Sequence, residues 1–254
     1  MTTNIETYLK QLRLERLFKE LKASDPEALA KTMQHFTNKE AENRDKIVVN
    51  YFGEPATNQI VNAITKSLLR PPILPPNARI LDVGAGSGFF TVKIAEQIRA
   101  KLPKASFYAM DLTPAMLLSL AKKKASIIPF IGTAENIIGS IKHARKFFEI
   151  PLKFDAVFST LMLHHSTQPE RVFESLKTVL KKNGKAVLVD MCEHSFEEFR
   201  TEMGDVHLGF KPERVYEMAS EYFSKVSVDI MPGIHCKSSG RSAEILIATM
   251  LNRP

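Results

Sequence analysis

Two spacings of hydrophobic and polar positions alternate along the chain, one typical of strands and one typical of helices. Residues 79–83 are a short apolar run, typical of a strand buried in a parallel sheet. Three glycines follow, and from there the apolar positions take helical spacing, at Phe90, Ile94, Ile98 and Leu102. Similar runs separated by amphipathic stretches continue toward the C-terminus. This alternation predicts an α/β fold built on a mostly parallel sheet.

Six further strands are predicted after the first one. They are expected at residues 106–110, 126–131, 154–160, 185–190, 226–230 and 243–250. Amphipathic helices are expected between them, beginning at 89, 113, 169 and 212. A turn is expected at residues 182–184, because Asn and Gly favour turns, and a loop is expected over residues 231–241.

The spacing of apolar residues predicts helices in the N-terminal part of the chain. An amphipathic helix is expected over residues 4–22, and a second begins at Asp25-Pro26. Helical spacing then continues to about Leu69 with a break at Gly53 and Pro55. Residues 70–76 hold too many prolines for a helix or a central strand. We therefore predict a helical cap with a connector at residues 1–76 and a sheet domain at residues 77–254.

Composition narrows the class of protein. The chain has 254 residues, 44% of them hydrophobic, and a net charge of +7. The basic residues are scattered, as on a solvated surface, so nucleic acid is not the favoured partner. No apolar run approaches the ~20 residues of a membrane span, and residues 1–8 are too polar for a signal peptide, so the expected location is cytoplasmic.

The glycine turn after the first strand indicates the ligand. Its sequence, residues 82–88, is Asp-Val-Gly-Ala-Gly-Ser-Gly. A dinucleotide fingerprint would require a third glycine where Phe89 stands. Asp82 at the tip of the strand would repel a pyrophosphate and attract an ammonium group. The expected ligand therefore carries a cation near Asp82 and a ribose further on.

This turn resembles the cofactor loop of the class I S-adenosylmethionine-dependent methyltransferases, and the resemblance is continuous over residues 79–190. It implies a Rossmann-like, doubly wound seven-stranded sheet whose last strand runs antiparallel, with S-adenosyl-L-methionine as the cofactor. The residues expected to bind that cofactor are Asp82, Gly84, Ala85, Gly86, Gly88, Asp111, Leu112, Thr133, Ala134, Glu135 and Ser159.

Two of these expectations have reasons of their own. Asp111 follows the second strand, 23 residues after Gly88, where an acid can accept both ribose hydroxyls or, alternatively, cap the next helix. Thr133 stands where the resembled family often has an aspartate that grips adenine. Its hydroxyl could serve the exocyclic amine, and the N–H of Ala134 could meet a ring nitrogen.

The acceptor side is predicted from position. His164 and His165 follow the fourth strand, at the edge of the sheet where ligands bind, and histidine is a suitable general base near pH 7. Alternatively, one of them packs under the cofactor or caps the next helix.

Four further residues are candidates for contact with the acceptor: Tyr51, His194, Arg200 and His207. Tyr51 could instead belong to the core of the cap. Arg200 and His207 could bind an anionic or phenolic acceptor, or form salt bridges with Glu198 and Asp205. Residues 197–210 resemble, more loosely, the insertion on the substrate side of the ubiquinone and menaquinone C-methyltransferases and the arsenite methyltransferases.

Cys192 and Cys236 are both expected near the mouth of the cleft. Two thiolates with neighbouring imidazoles could hold zinc or trivalent arsenic, but a C-x-x-C pair is missing. Buried, unreactive cysteines are the simpler interpretation, and we predict no metal site.

Three functions remain open. The favoured one is transfer of a methyl group to a small molecule that is phenol- or quinol-like, a thiol or arsenite. The alternatives are a methyltransferase acting on RNA or protein, and a cofactor-binding scaffold without catalysis. The sequence leaves the oligomeric state open.

Overall fold

Seven strands form one sheet in the computed structural model, which describes residues 4–21 and 38–253. They are β1 (Arg79–Val83), β2 (Ser106–Asp111), β3 (Ile127–Ile131), β4 (Phe154–Thr160), β5 (Leu180–Met191), β6 (Lys225–Ser238) and β7 (Arg241–Leu251). Their order across the sheet is β3-β2-β1-β4-β5-β7-β6. Strands β1 to β5 pair in parallel, whereas β7 is antiparallel to both β5 and β6. The predicted fold class is confirmed.

Ten α-helices accompany the sheet in the part of the chain that the structure describes. They are α1 (Ile5–Gln11), α2 (Leu14–Glu20), α3 (Asn38–Phe52), α4 (Glu54–Leu69), α5 (Phe89–Arg99), α6 (Pro114–Lys122), α7 (Ile137–Ala144), α8 (Pro169–Val179), α9 (Glu198–Glu202) and α10 (Pro212–Ser220). Two short 3-10 helices, Ala134–Asn136 and Leu163–His165, follow β3 and β4. Each of these two therefore lies at the carboxyl edge of the sheet.

Helices cover both faces of the sheet. Neighbouring residues of β1 point to opposite sides, so Ile80 joins one apolar cluster and Leu81 joins another. Buried residues of α3, α4, α5 and α9 pack into the cluster of Ile80. Buried residues of α2, α6, α7, α8 and α10 pack into that of Leu81. This is the doubly wound arrangement, which leaves the carboxyl edge of the parallel strands open for a ligand.

The prediction of one helix over residues 4–22 was wrong. The chain leaves the helix at Leu12 and Arg13 and re-enters it at Leu14. In a continuous helix, Leu12 and Leu14 would point about 200° apart. The break lets both of them pack against the same apolar cluster. The helix predicted from Asp25 lies outside the described residues, whereas the break at Gly53 is confirmed: this residue has φ 75° and separates α3 from α4.

Two corrections concern the C-terminal half. Most of the loop predicted over residues 231–241 is strand, because β6 continues to Ser238 and the turn is confined to Ser239 and Gly240. Pro232 and Gly233 suggested a loop, but the sheet accommodates them as an irregularity between Ile230 and His235. Similarly, β5 begins at Leu180, and the predicted turn at 182–184 falls in a register shift within that strand.

The proline-rich connector is tied to the sheet. The buried side chain of Lys185, on β5, donates to the backbone oxygens of Arg70 and Pro72, the latter over 2.7 Å. The division into two domains at residue 76 stays a prediction. Every helix in the described ranges is too short or too polar to cross a membrane.

Candidate active site

A cleft opens at the carboxyl edge of the sheet, above β1, β2, β3 and β4. The residues that line it are Arg44, Val48, Gly84, Ala85, Gly86, Ser87, Phe89, Phe90, Met110, Asp111, Leu112, Thr113, Met116, Gly132, Thr133, Ala134, Glu135, Thr160, Leu161, Met162, His165, Ser166 and Thr167. Eight of the eleven residues predicted to bind the cofactor are among them. The other three, Asp82, Gly88 and Ser159, lie outside the lining.

The glycine turn forms one wall of the cleft. Gly84, Gly86 and Gly88 all have positive φ, at 75°, 54° and 77°. A Cβ on Gly86 would meet no atom within 4 Å, whereas one on Gly84 would collide with Met162. Gly86 therefore keeps the cleft open, and Gly84 allows the turn to pack against the loop after β4. Helix α5 begins after Gly88 without a side-chain cap, so its first N–H groups suit an electron-rich ligand group.

Asp82 lies buried beneath this turn. One carboxylate oxygen accepts a hydrogen bond of 2.6 Å from Thr91, and the other, Oδ1, has no partner in the described part of the chain. Burial raises the pKa of Asp82 to about 8, and Asp111 nearby acts in the same direction. A buried carboxylate with an unsatisfied oxygen suits a cationic ligand group such as an ammonium.

Asp111 ends β2 and organises the opposite side of the turn. Its two oxygens accept hydrogen bonds of 2.8 Å from the backbone N–H groups of Gly86 and Thr113. Burial raises its pKa, and these backbone bonds lower it in part. A carboxylate has about four acceptor positions, so these two backbone bonds leave capacity for a ribose hydroxyl. Both the cap and the ribose interpretation of Asp111 are therefore compatible with the geometry.

The loop after β3 forms the far end of the cleft. Thr133 is buried, and its hydroxyl has no hydrogen-bond partner among residues 4–21 and 38–253. Ala134 begins the 3-10 helix, and the carboxylate of Glu135 accepts a hydrogen bond of 2.6 Å from Ser166. That bond joins the loops after β3 and β4. An unsatisfied hydroxyl in this wall fits a ligand that carries an amine.

Gly88 and Ser159 support the cleft from outside its lining. A Cβ on Gly88 would approach Leu120 to 2.2 Å, so this glycine allows α6 to pack against the turn. The hydroxyl of Ser159, on β4, donates to the backbone oxygen of Val83 over 2.7 Å. Both residues position the glycine turn.

His164 and His165 occupy different environments. His165 lines the cleft, and its Nδ1 lies 3.1 Å from the backbone oxygen of Gly204. His164 is buried, with Nδ1 2.6 Å from Asp190 and Nε2 3.5 Å from Asp205. Burial opposes protonation of His164, but the two carboxylates outweigh it and raise its pKa. Burial also raises the pKa of Asp205, to about 6.

None of the four residues predicted to contact the acceptor is among the described residues that line the cleft. Tyr51 packs half-buried against an apolar cluster that contains cap residues. The ring of His194 stacks on Phe196 with 5.0 Å between centroids. Arg200 pairs with Glu197 rather than with Glu198.

His207, the fourth of them, rests against Phe210, with ring centroids 5.2 Å apart. An acceptor role for any of the four stays a prediction.

The two cysteines lie on opposite faces of the sheet. Cys192 belongs to one apolar cluster and Cys236 to the other, and both are free and buried. Burial raises their pKa values to about 11 and about 12. Both side chains therefore belong to the apolar packing of the domain, and the absence of a metal site at the cysteines stays a prediction.

Helix α3 also contributes to the cleft, which was not predicted from the sequence. Arg44 and Val48 line the cleft from this helix. Between them, Asp45 accepts a hydrogen bond of 2.7 Å from Ser87 of the glycine turn and pairs with Lys123 of the segment after α6 at 2.7 Å. We define this three-residue contact as the cap latch. The spacing of residues 41, 44, 45 and 48 marks one helical face, which is the signal that could have indicated it.

Comparison with known proteins gives one consistent family. The profile of a family described as "Methyltransferase domain" matches residues 74–229. The mitochondrial ubiquinone biosynthesis O-methyltransferase of Schizosaccharomyces pombe is 35% identical over 111 residues, which are 43% of this chain and 36% of that protein. The malonyl-[acyl-carrier protein] O-methyltransferase of Legionella pneumophila is 30% identical over 125 residues, 48% of this chain and 39% of that protein. The chain therefore matches well under half of the length of these curated relatives.

A solved structure shows the same fold. Phosphoethanolamine N-methyltransferase 2 of Haemonchus contortus, in complex with S-adenosyl-L-methionine, superposes with a TM-score of 0.60 at 16% identity. The match covers 86% of this chain and 58% of that one. At this identity the likeness concerns the fold alone.

Proposed function

Since the chain belongs to the family of methyltransferase domains, we propose that it binds S-adenosyl-L-methionine in the cleft and transfers its methyl group to a small molecule. The observation that carries this proposal is a pair of unsatisfied polar atoms, one beneath the glycine turn and one in the far wall of the cleft, with a buried carboxylate between them. Asp82 Oδ1 and the hydroxyl of Thr133 are buried without partners in the described ranges, and Asp111 lies between the segments that carry them. An ammonium, a diol and an amine would satisfy them in that order, and S-adenosyl-L-methionine carries all three.

The roles of the cofactor residues follow from this order. Asp82 receives the ammonium group of the amino-acid end, and Gly86 admits the ligand close to the backbone. Asp111 accepts the ribose hydroxyls while it holds the turn through the N–H of Gly86. Thr133, Ala134 and Glu135, with Leu112, surround the adenine. Bound there, the cofactor supplies an activated methyl group, so the protein needs to orient the acceptor and exclude water.

The acceptor is a small molecule with an apolar body and a hydroxyl group. The lining of the cleft includes the apolar side chains of Val48, Phe89, Phe90, Met116 and Met162. The two curated relatives are named as O-methyltransferases. Among the acceptors predicted from the sequence, this favours a phenol or quinol over a thiol or arsenite. The described lining contains no cysteine that could hold arsenic.

His165 is the group that we assign to removal of the acceptor proton. It lines the cleft, whereas His164 lies buried behind it against Asp190. The contact of its Nδ1 with the Gly204 oxygen fixes the ring, and an N–H at that position leaves Nε2 to act as the base. We assign His164 to positioning of this loop.

The test is a methyl-transfer assay with isotopically labelled S-adenosyl-L-methionine. The panel of acceptors should contain catechols and quinols, thiols, arsenite and bulk tRNA. We expect label in the phenolic compounds and a loss of at least a hundredfold in rate for His165→Gln, with cofactor binding retained. Label only in tRNA, with a rate that falls steeply with salt, would favour the nucleic-acid alternative instead. Binding without transfer to any acceptor would favour the scaffold.

A further inference from the structure

Two imidazoles and a buried carboxylate meet beside the cleft. One ligand atom each from His164, His165 and Asp205 lies within 4.8 Å of the other two. The side chains of His164 and Asp205 are 4% and 0% exposed. Neither carboxylate oxygen of Asp205 has a hydrogen-bond partner in the described part of the chain. A buried carboxylate in this state requires a cation.

The contact of His164 with Asp190 directs its other ring nitrogen at this carboxylate. Asp190 engages Nδ1 of His164 at 2.6 Å, which leaves Nε2 facing Asp205 at 3.5 Å. That separation is long for a hydrogen bond. It is close to the roughly 3.4 Å expected between an imidazole nitrogen and a carboxylate oxygen that share a tetrahedral zinc ion. One ring nitrogen of His165 lies within 4.8 Å of a ligand atom from each of these two side chains, and its Nδ1 lies 3.1 Å from the backbone oxygen of Gly204.

We propose that His164, His165 and Asp205 form a binding site for a divalent metal ion, with zinc as the best match. Two nitrogens and one carboxylate oxygen are a ligand set that zinc uses when further positions stay open. Asp190 is the outer partner that orients His164, and it also accepts hydrogen bonds of 2.8 Å from the N–H groups of Leu163 and Met191. Asp190 is therefore rigidly held. With both imidazoles neutral, the cluster and Asp190 carry two negative charges, and Arg44 nearby supplies one positive charge.

The site is absent from the sequence prediction for a clear reason. The histidines are adjacent in the chain, but Asp205 follows 40 residues later, after α9, and comes back because the N–H groups of Val206 and His207 bond the backbone oxygen of His164. These two hydrogen bonds, of 3.1 and 2.9 Å, fix the segment of Asp205 against the histidines.

The consequence for catalysis rests on the proposed function. His165 also lines the cleft, so a cation held here borders the space assigned to the acceptor. A metal ion with an open position would lower the pKa of an acceptor hydroxyl bound to it, and the proton would then leave to solvent, because the ring nitrogen of His165 that is assigned as the base would be a ligand of the metal.

The experiment is a titration of the full chain with zinc chloride alone, after removal of metals by a chelator and without cofactor or acceptor. We expect one equivalent to bind. Asp205→Asn should weaken binding by at least tenfold, and Asp190→Asn should weaken it by roughly ten- to a hundredfold through loss of the outer partner. His143→Gln, which removes a histidine far from the cluster on α7, should bind like the wild type. Cobalt chloride provides a second readout, since its visible absorption reports nitrogen and oxygen ligands.

The outcomes separate the two proposals. Absence of stoichiometric binding, or wild-type affinity in Asp205→Asn, would overturn the metal site and leave His164 as an imidazolium held between two carboxylates. Asp205→Asn keeps the shape of the side chain and removes a buried charge, so it is expected to fold, which circular dichroism verifies. Zinc binding in a protein that fails to bind S-adenosyl-L-methionine would support the metal site while contradicting the proposed function.

Discussion

The carboxylate of Asp111 accepts a hydrogen bond of 2.8 Å from the backbone N–H of Gly86, which lies 25 residues earlier in the chain. The same carboxylate accepts the N–H of Thr113 at the start of α6. One side chain therefore joins the glycine turn after β1 to the loop after β2. The shape of the cleft and the affinity for a ribose consequently depend on the same residue.

Replacement of Asp111 by Ala should weaken binding of S-adenosyl-L-methionine by tenfold or more. The change removes hydrogen bonds to a charged acceptor, each worth roughly 1.5–3 kcal/mol, from the ribose and from the turn. Calorimetric titration measures the effect. Asp229→Ala, on the exposed side of β6, removes an aspartate of the same type far from the cleft and should leave the affinity unchanged. Equal affinities in both variants would refute the ribose assignment.

Gly86→Ala should reduce cofactor binding more than it reduces stability. The φ of 54° is unfavourable for alanine by about 1–2 kcal/mol, and the new methyl group enters the cleft. Gly233→Ala is the matched control, since Gly233 has φ 72° and an equally open surrounding but lies on β6, outside the cleft lining. We expect similar shifts of the melting temperature in both variants and loss of binding only in Gly86→Ala. Loss of binding in both would mean that strain, and not the position in the cleft, is responsible.

Asp82 should make the ligand-free protein less stable as the pH rises. Its folded-state pKa is about 8, above the ordinary value of 3.8, so the folded protein keeps a proton that the unfolded chain has lost. The free energy of unfolding should therefore decrease between about pH 4 and pH 8, by at most about 1.4 kcal/mol per pH unit from this group. Asp82→Asn should flatten the dependence. Denaturant unfolding at pH 5, 6.5 and 8 measures this dependence. The same change of the free energy of unfolding with pH in the wild type and in Asp82→Asn would contradict the assignment.

A second consequence concerns cofactor binding at pH 7. An ammonium group beside Asp82 favours the carboxylate, so binding should release a proton from the wild type. Calorimetry in buffers of different ionisation enthalpy detects that proton. In the wild type the apparent enthalpy of binding should therefore depend on the buffer. In Asp82→Asn the apparent enthalpy of binding should be the same in all buffers.

The cap latch should control access to the cleft. Asp45→Ala removes the bonds to Ser87 and Lys123. Because Asp45 is 43% exposed, the loss in binding should be small, about two- to fivefold. Amide exchange in α3 should become faster. Glu42→Ala removes an acid of the same helix whose partner, Lys122, lies 3.9 Å away, and it serves as the control. Unchanged exchange in Asp45→Ala would contradict the latch.

The sequence predicted those features that depend on local patterns. The glycine turn, the acid at the end of β2 and the alternation of strands and helices are short-range signals, and parallel strands necessarily bring their carboxyl ends to one edge. The path of β6 was not predictable in this way. Pro232 and Gly233 usually interrupt strands, but pairing with β7 carries β6 past them.

The surroundings of the histidines depend on long-range packing. Nothing near His164 in the sequence indicates that Asp190 and Asp205 enclose it, since one arrives with β5 and the other with the segment after α9. For the same reason the contribution of Arg44 to the cleft was overlooked. Contacts between side chains that meet only in the tertiary structure cannot be predicted from periodicity or from motif spacing.

The most direct test is a calorimetric titration of the unmodified chain with S-adenosyl-L-methionine and, separately, with NAD. We expect one equivalent of S-adenosyl-L-methionine to bind and NAD to remain unbound, because Phe89 stands where a dinucleotide-binding turn requires its third glycine. Absence of binding to S-adenosyl-L-methionine, or comparable binding of NAD, would contradict the assignment of the cleft and with it the proposed methyl transfer.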